Sequence, residues 1–303
     1  MFSSVSDFLE SMSTLPGDSI HLDFLDPYLS PESRIFVHPK TGFVTSEKKM
    51  NQREVLDYWS NQVFCSSDSL DYSARYPYAI GRMHYVLNTI MRELGSILDV
   101  NNINLVDFAT GEGVFLDIVR SYLPNSRLRA TEGSRELAER LGKNGFEVRN
   151  VGLGTDNFIR FENAQVGTLM WTLSCTLNPM RMLMDIRNAM PDDSYLVVAE
   201  SSRILVPIKK SLEDMFRTDR PADIHPNYFS ANSLISSLES AGFRLRYINR
   251  FHDSDVLLVI TQKQELPEKS ALLNCDDSAM VIDFFRLWDE LSKNQYKKYK
   301  NLK

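Results

Sequence analysis

Apolar positions recur at helical spacing from Gln52, where Val55, Tyr58, Trp59 and Val63 fall on one face, and again from Tyr78 to Ile97 through Ile80, Met83, Val86, Leu87, Ile90, Met91 and Leu94. Ahead of them residues 1–45 are mixed, with turn signals at Pro16-Gly17, Pro27, Pro31 and Thr41-Gly42. Residues 1–100 therefore read as an N-terminal helical and aromatic cap region. After Asn101-Asn102 the rhythm changes to short apolar runs alternating with helical stretches. Strands are predicted over Ile103–Phe108, Arg127–Thr131, Phe146–Val151, Gly167–Leu173, Tyr195–Ala199, Phe243–Asn249 and Val256–Thr261. Helices are predicted over Gly113–Tyr122, Ser134–Lys143, Met180–Ala189 and Ser233–Ala241, closed by Asn144-Gly145, Pro191 and Gly242 where such stops occur.

Strand–helix alternation at this spacing implies an α/β fold: a doubly wound, Rossmann-like, mostly parallel seven-stranded sheet spanning residues 101–264. The continuous apolar run Tyr195–Ala199 suits a central strand covered on both faces. The last two strands are expected to pair antiparallel. Beyond Leu266-Pro267, residues 265–303 form a C-terminal helical extension whose helix, Met280–Leu291, carries Val281, Ile282, Phe284, Phe285, Leu287 and Trp288. That stripe can cover the core or join two copies in a homodimer; core packing is the simpler reading.

Charge narrows the choice of partner. The chain has 34 Lys and Arg against 40 Asp and Glu, a net charge of −6, whereas phosphate-backbone binding needs a concentrated basic face. The main basic cluster, Lys297, Lys298, Lys300 and Lys303, reads as a solvated helix end, so no nucleic-acid partner is expected. Cys65, Cys175 and Cys275 are odd in number and lack CxxC spacing, which fits reduced thiols better than a disulfide framework or a metal site. Residues 1–10 lack a basic start and an apolar core, and the apolar runs are too short for a membrane span; the expected setting is cytoplasmic.

The chemistry centres on Val106-Asp107-Phe108-Ala109-Thr110-Gly111-Glu112-Gly113, where the first core strand hands over to the first core helix. Open α/β sheets bind ligands at this carboxyl edge. Gly111 and Gly113 allow a tight turn and close backbone approach, and the following helix turns N–H groups and partial positive charge towards the site. A dinucleotide fingerprint would need glycine at Leu116, and a phosphate loop would need Gly-Lys-Ser/Thr. Asp107 through Gly113 instead resembles motif I of the class I S-adenosylmethionine-dependent methyltransferases, with Ala109 at the first glycine. Alanine fits that position where the local φ is negative. Glu132 ends the second strand in Ala130-Thr131-Glu132-Gly133-Ser134, where an acceptor-only group with two oxygens suits a ribose diol. A helix-capping neighbour is the plainer alternative.

The resemblance implies S-adenosylmethionine as cofactor, with Asp107, Ala109, Thr110, Gly111, Gly113, Glu132, Gly133 and Ser134 around it. It places Asp156 and Asn157 at the adenine, and Trp171, Thr172 and Leu173 at the methionine and reacting methyl. His225-Pro226-Asn227-Tyr228-Phe229-Ser230, leading to Leu234, Leu238 and Ala241-Gly242-Phe243, is similar to a stretch found in sugar and polysaccharide-precursor methyltransferases. Tyr58-Trp59, Tyr72-Ser73-Ala74-Arg75 and Arg82…Tyr85 resemble the lead-in of that subfamily, so Tyr72 and Arg82 are expected to close the cofactor pocket. The acceptor implied is small, polar, sugar-linked and anionic, methylated at a hydroxyl or a carbon, although the cysteine-rich region of many sugar members is absent. An acceptor hydroxyl needs a base, for which His225 is the first candidate and His84 the reserve. A secondary metabolite as acceptor, an NAD-dependent sugar enzyme and a non-catalytic cofactor-binding protein are the alternatives.

Overall fold

The computed structural model describes residues 2–13, 17–31, 33–47, 50–59, 77–152, 160–201, 204–216, 225–250 and 256–296. The chain opens with β1 (Phe2–Ser4), α1 (Val5–Ser13) and three short strands, β2 (Ile20–His21), β3 (Ile35–Val37) and β4 (Val44–Ser46). Among the described residues α2 (Gln52–Tyr58) and α3 (Pro77–Leu94) come next. The core runs β5 (Asn104–Phe108), α4 (Val114–Tyr122), β6 (Arg127–Glu132), α5 (Arg135–Lys143), β7 (Glu147–Asn150), β8 (Val166–Met170), α6 (Pro179–Ala189) and β9 (Tyr195–Glu200). It continues through α7 (Leu212–Phe216), β10 (Asn227–Tyr228), α8 (Ala231–Ser240), β11 (Phe243–Ile248) and β12 (Leu257–Lys263), and the chain closes with β13 (Leu272–Asn274) and α9 (Ser278–Leu291).

Seven strands form the central sheet in the order β11–β12–β9–β8–β5–β6–β7. All pairings from β9 to β7 are parallel, and β12 runs against both of its neighbours. This is the doubly wound, mostly parallel sheet expected from the alternation, with a bulge in β11 between Leu245 and Tyr247. The chain winds from β5 through β6 to β7, then returns to build β8 and β9 on the other flank. The switch point therefore lies between the carboxyl ends of β5 and β8.

Alternation along each strand gives the sheet two apolar faces. Val106, Phe108, Leu169 and Val198 meet Phe8 of α1, Leu183 of α6 and Leu234 of α8. Leu105, Ala130 and Val197 meet Val86 of α3, Leu116 of α4 and Leu141 of α5.

The first hundred residues are more than a helical lead-in. Strands β2, β3 and β4 join β10 in a second, antiparallel sheet ordered β10–β4–β3–β2. Their local pattern is too short to declare a strand, and the closing partner lies in residues 227–228. The last helix does pack inward, but on this small sheet: Val281, Phe285 and Trp288 share a buried cluster with Leu25, Ile35 and Val37. β13 pairs antiparallel with β1, which ties residues 2–4 to the segment that leads into α9. Among the described residues, no helix is long and apolar enough to cross a membrane, and no group of side chains is set to hold a metal ion.

Candidate functional site

Strand β5 ends in a turn that three left-handed residues build. Ala109, Gly111 and Gly113 have φ of 53°, 61° and 80°. The positive φ at Ala109 corrects the expectation of a negative one. The loop keeps its glycine-type path, and alanine bears a conformational cost there of about 1–2 kcal/mol. Gly113 caps α4, and a Cβ on it would collide with the Leu141 side chain of α5.

Buried side chains hold this loop in shape. The Asp107 carboxylate accepts the Thr110 hydroxyl and, from β8, the Thr168 hydroxyl, each at 2.6 Å. Ala109 N–H donates to Thr131 Oγ1 at 3.0 Å. Glu132 is only 6% exposed, and its two oxygens accept the Gly111 and Ser134 N–H groups, each at 2.8 Å. Burial raises the Asp107 pKa to about 6, against the two threonine hydroxyls that favour its ionised form. Burial raises Glu132 as well, opposed by the N–H groups of Ser134, Gly111 and Gly133.

Glu132 is thus both the capping neighbour and the loop's anchor. Ser134 caps α5 through its own hydroxyl, which accepts from the Leu137 N–H. A carboxylate offers about four lone-pair directions, so Glu132 retains acceptor capacity beyond these N–H groups. Asn150 of β7 braces the same turn by donating to the Glu132 carbonyl at 2.9 Å and the Gly133 carbonyl at 3.2 Å.

Across the switch point, β8 runs into the turn Trp171-Thr172-Leu173-Ser174. Trp171 has φ 52°, and its N–H still continues the ladder to Ala199 of β9 at 2.7 Å. Trp171 and Thr172 are half-buried, while Leu173 is in the core. The turn is gripped by Glu200 at the end of β9, a residue the sequence reading passed over. Asn227 of β10, buried and likewise not singled out, donates to the Thr176 carbonyl at 2.6 Å. Glu200 ends its strand as Glu132 does, but that placement alone does not show in the sequence which turn it holds.

His225 stands two residues before Asn227, so β10 carries it to the side of this turn. Its ring meets Trp59 edge-on, with centroids 5.4 Å apart. Leu56, on the preceding turn of α2, packs against Gly133: a Cβ on that glycine would lie 2.8 Å from Leu56 Cδ1. The α2 segment therefore reaches from the Glu132 turn to the His225 segment across the carboxyl edge.

The structure gathers Asp107, Ala109, Thr110, Gly111, Gly113, Glu132, Gly133 and Ser134 around one loop, with Trp171, Thr172 and Leu173 on the adjacent strand end. His84 is placed elsewhere. Its ring lies edge-on to Tyr122, 5.5 Å away, at the last residue of the nine-residue α4. At 1.5 Å per residue that is about 12 Å along the axis from the loop where α4 begins. Arg82 stacks over Tyr78 of its own helix, 4.8 Å from the ring centroid. Tyr72, Asp156 and Asn157 lie outside the described residues.

A family model described as a methyltransferase domain matches residues 78–248, more than half of the chain. Comparison with curated protein sequences gave no match. Among solved structures, the chain is similar to 1,6-didemethyltoxoflavin-N1-methyltransferase of Burkholderia thailandensis, determined with 1,6-didemethyltoxoflavin and S-adenosylhomocysteine. The TM-score is 0.51 at 13% identity, covering 78% of this chain and 98% of that one. Magnesium protoporphyrin IX methyltransferase of Synechocystis PCC 6803, determined with S-adenosylhomocysteine, matches with TM-score 0.50 at 8% identity, covering 71% and 100%. At these identities both are likenesses of fold.

Proposed function

The chain belongs to the methyltransferase-domain family, the S-adenosylmethionine-dependent enzymes of Rossmann-like fold, and from that premise we propose that it methylates a small polar acceptor at the β5–β8 switch point. The carrying observation is the Glu132 clamp. A buried carboxylate at the end of β6 holds the Gly111 N–H of the loop that ends β5, and so fixes backbone and acceptor group side by side.

S-adenosylmethionine, when bound, supplies an electrophilic methyl group on a sulfonium. In this reading Glu132 accepts the ribose hydroxyls with its remaining lone pairs. The Ala109–Gly113 backbone would hold the cofactor, and the N-terminus of α4 would favour its carboxylate. Trp171, Thr172 and Leu173 line the methionine end. Asp156 and Asn157 are assigned to the adenine, and Tyr72 and Arg82 to closure of the pocket.

Alignment of acceptor and methyl carbon is the main catalytic task, worth up to about 7–11 kcal/mol in well-oriented systems. His225 is assigned the proton of an acceptor hydroxyl. Its position beside the β8-end turn supports that role over His84, which packs against Tyr122 at the far end of α4. The His225–Gly242 stretch supports a sugar nucleotide or related saccharide precursor as acceptor.

Calorimetric titration tests the reading. S-adenosylmethionine and S-adenosylhomocysteine should bind and NAD should not, and Glu132→Ala should abolish binding of both sulfur compounds. A folded protein that ignores both would sink the proposal. Acceptor screening on the binding-competent protein should then set sugar nucleotides against heteroaromatic metabolites; turnover of the latter alone would replace the saccharide assignment.

A further inference from the structure

The turn that ends β8 is held from two sides by side chains of opposite hydrogen-bonding character. Glu200, wholly buried at the end of β9, takes its N–H groups: Leu173 N at 2.6 Å and Ser174 N at 3.3 Å, with the Ser174 hydroxyl at 3.0 Å. Asn227, wholly buried in β10, takes its carbonyls: Thr176 O at 2.6 Å and, more weakly, Leu173 O at 3.5 Å. A carboxylate only accepts and the amide nitrogen only donates, so each grips the half of the turn it can satisfy.

We propose that Glu200 and Asn227 are positioning residues for methyl transfer, locking the Trp171–Thr176 turn to both the cofactor edge and the strand that presents His225. The proposal rests on the methyltransferase reading above. Neither residue needs to touch substrate; both act through the turn between them. Glu132 provides the parallel, since it fixes the Gly111 loop through backbone N–H groups in the same way on the other flank of β5. Two strand-end carboxylates thus hold the two loops that border the switch point. Asn227 adds what Glu132 lacks, a link to a second sheet, because β10 pairs with β4. The Asn227 amide thereby ties the strand next to His225 to the turn that ends β8.

The grip is read directly by hydrogen exchange on the full, unliganded chain. In Glu200→Ala the amides of Leu173 and Ser174 should exchange at least about tenfold faster, while Glu200→Gln, whose amide oxygen still accepts, should stay near wild type. The consequence is read by calorimetry with S-adenosylhomocysteine: about tenfold weaker binding for Glu200→Ala, restored to within about threefold by Glu200→Gln. Affinity unchanged in Glu200→Ala while the two amides are released would overturn the proposal and leave Glu200 a purely structural anchor. Should Glu200→Ala fail to fold, Asn227→Asp takes its place. It keeps the shape but turns an acceptor against two carbonyls, and the same loss of affinity is expected; wild-type affinity would again overturn the proposal. A wild-type protein that does not bind S-adenosylhomocysteine is a different result, and counts against the methyltransferase reading itself.

Discussion

Asp107 lies at the floor of the loop with two threonine hydroxyls as partners, and burial dominates its titration. Its folded pKa of about 6 stands above the ordinary 3.8, which means that the folded state holds the proton more tightly than the unfolded chain. The stabilisation is therefore complete below pH ~4 and is lost as pH rises through about 6, a change of about 3 kcal/mol. Asp107→Asn has no such titration, and either hydroxyl can rotate to accept from its amide. Denaturant midpoints at pH 4.5 and pH 7 should show the variant gaining on wild type at the higher pH; equal offsets at both would remove burial as the cause. Ala109 offers a second test at the same loop. Its φ of 53° lies where an L side chain is strained and glycine is not. Ala109→Gly should raise stability by up to about 1 kcal/mol, the relief of strain exceeding the added freedom of the unfolded chain. A lower melting midpoint would mean that contacts of the alanine methyl outweigh its strain.

At the level of elements, legibility followed how local the information is. The core strands and helices were readable because each carries its own period and its own stop. Ser134 caps α5, Asn178 caps α6 ahead of Pro179, and Gly242 takes φ 77° after α8. The Asp107–Gly113 turn was readable for the same reason, since a glycine turn between strand and helix is a contiguous signal. Three-residue strands such as β3 and β4 carry no period of their own, and become strands by pairing with each other, with β2 and with residues 227–228. The apolar stripe of α9 was legible, but its partner was not: periodicity tells which face is buried and is silent on what covers it. Glu200 and Asn227 were missed because their roles reside in backbone groups of another segment. No spacing along the chain places Glu200 opposite Leu173, or Asn227 opposite Thr176. His84 shows the converse, a residue type suited to catalysis that the fold sets beside Tyr122.

At the scale of the whole molecule, α1 packs on the large sheet and α9 on the small one, and β1 and β13 pair beside them. α1 lays Val5, Phe8 and Met12 against the face of the central sheet that α6 and α8 also cover. Preceding it, β1 pairs with β13, and α9 then packs on the β2–β4 sheet. The junction is polar as well as apolar: Tyr28 donates to Asp289 at 2.7 Å, Trp288 Nε1 to the Lys210 carbonyl at 2.7 Å, and Leu212 N–H to the Ser292 hydroxyl at 2.9 Å. The same small sheet includes β10, which carries Asn227 and lies next to His225, so α9 packs on the sheet that holds the His225 segment. Its removal should be costly. Val281, Phe285 and Trp288 are each buried and each is worth about 1.5–3 kcal/mol, a sum comparable with the roughly 5–15 kcal/mol stability of a whole domain. A chain ending at residue 264, the boundary suggested by Leu266-Pro267, should therefore lose its single cooperative melt and bind a hydrophobic dye through the uncovered Leu25, Ile35 and Val37 surface. Survival of the full-length melting midpoint in that chain would instead make residues 265–303 an independent appendage, and would detach the His225 segment from any support by α9.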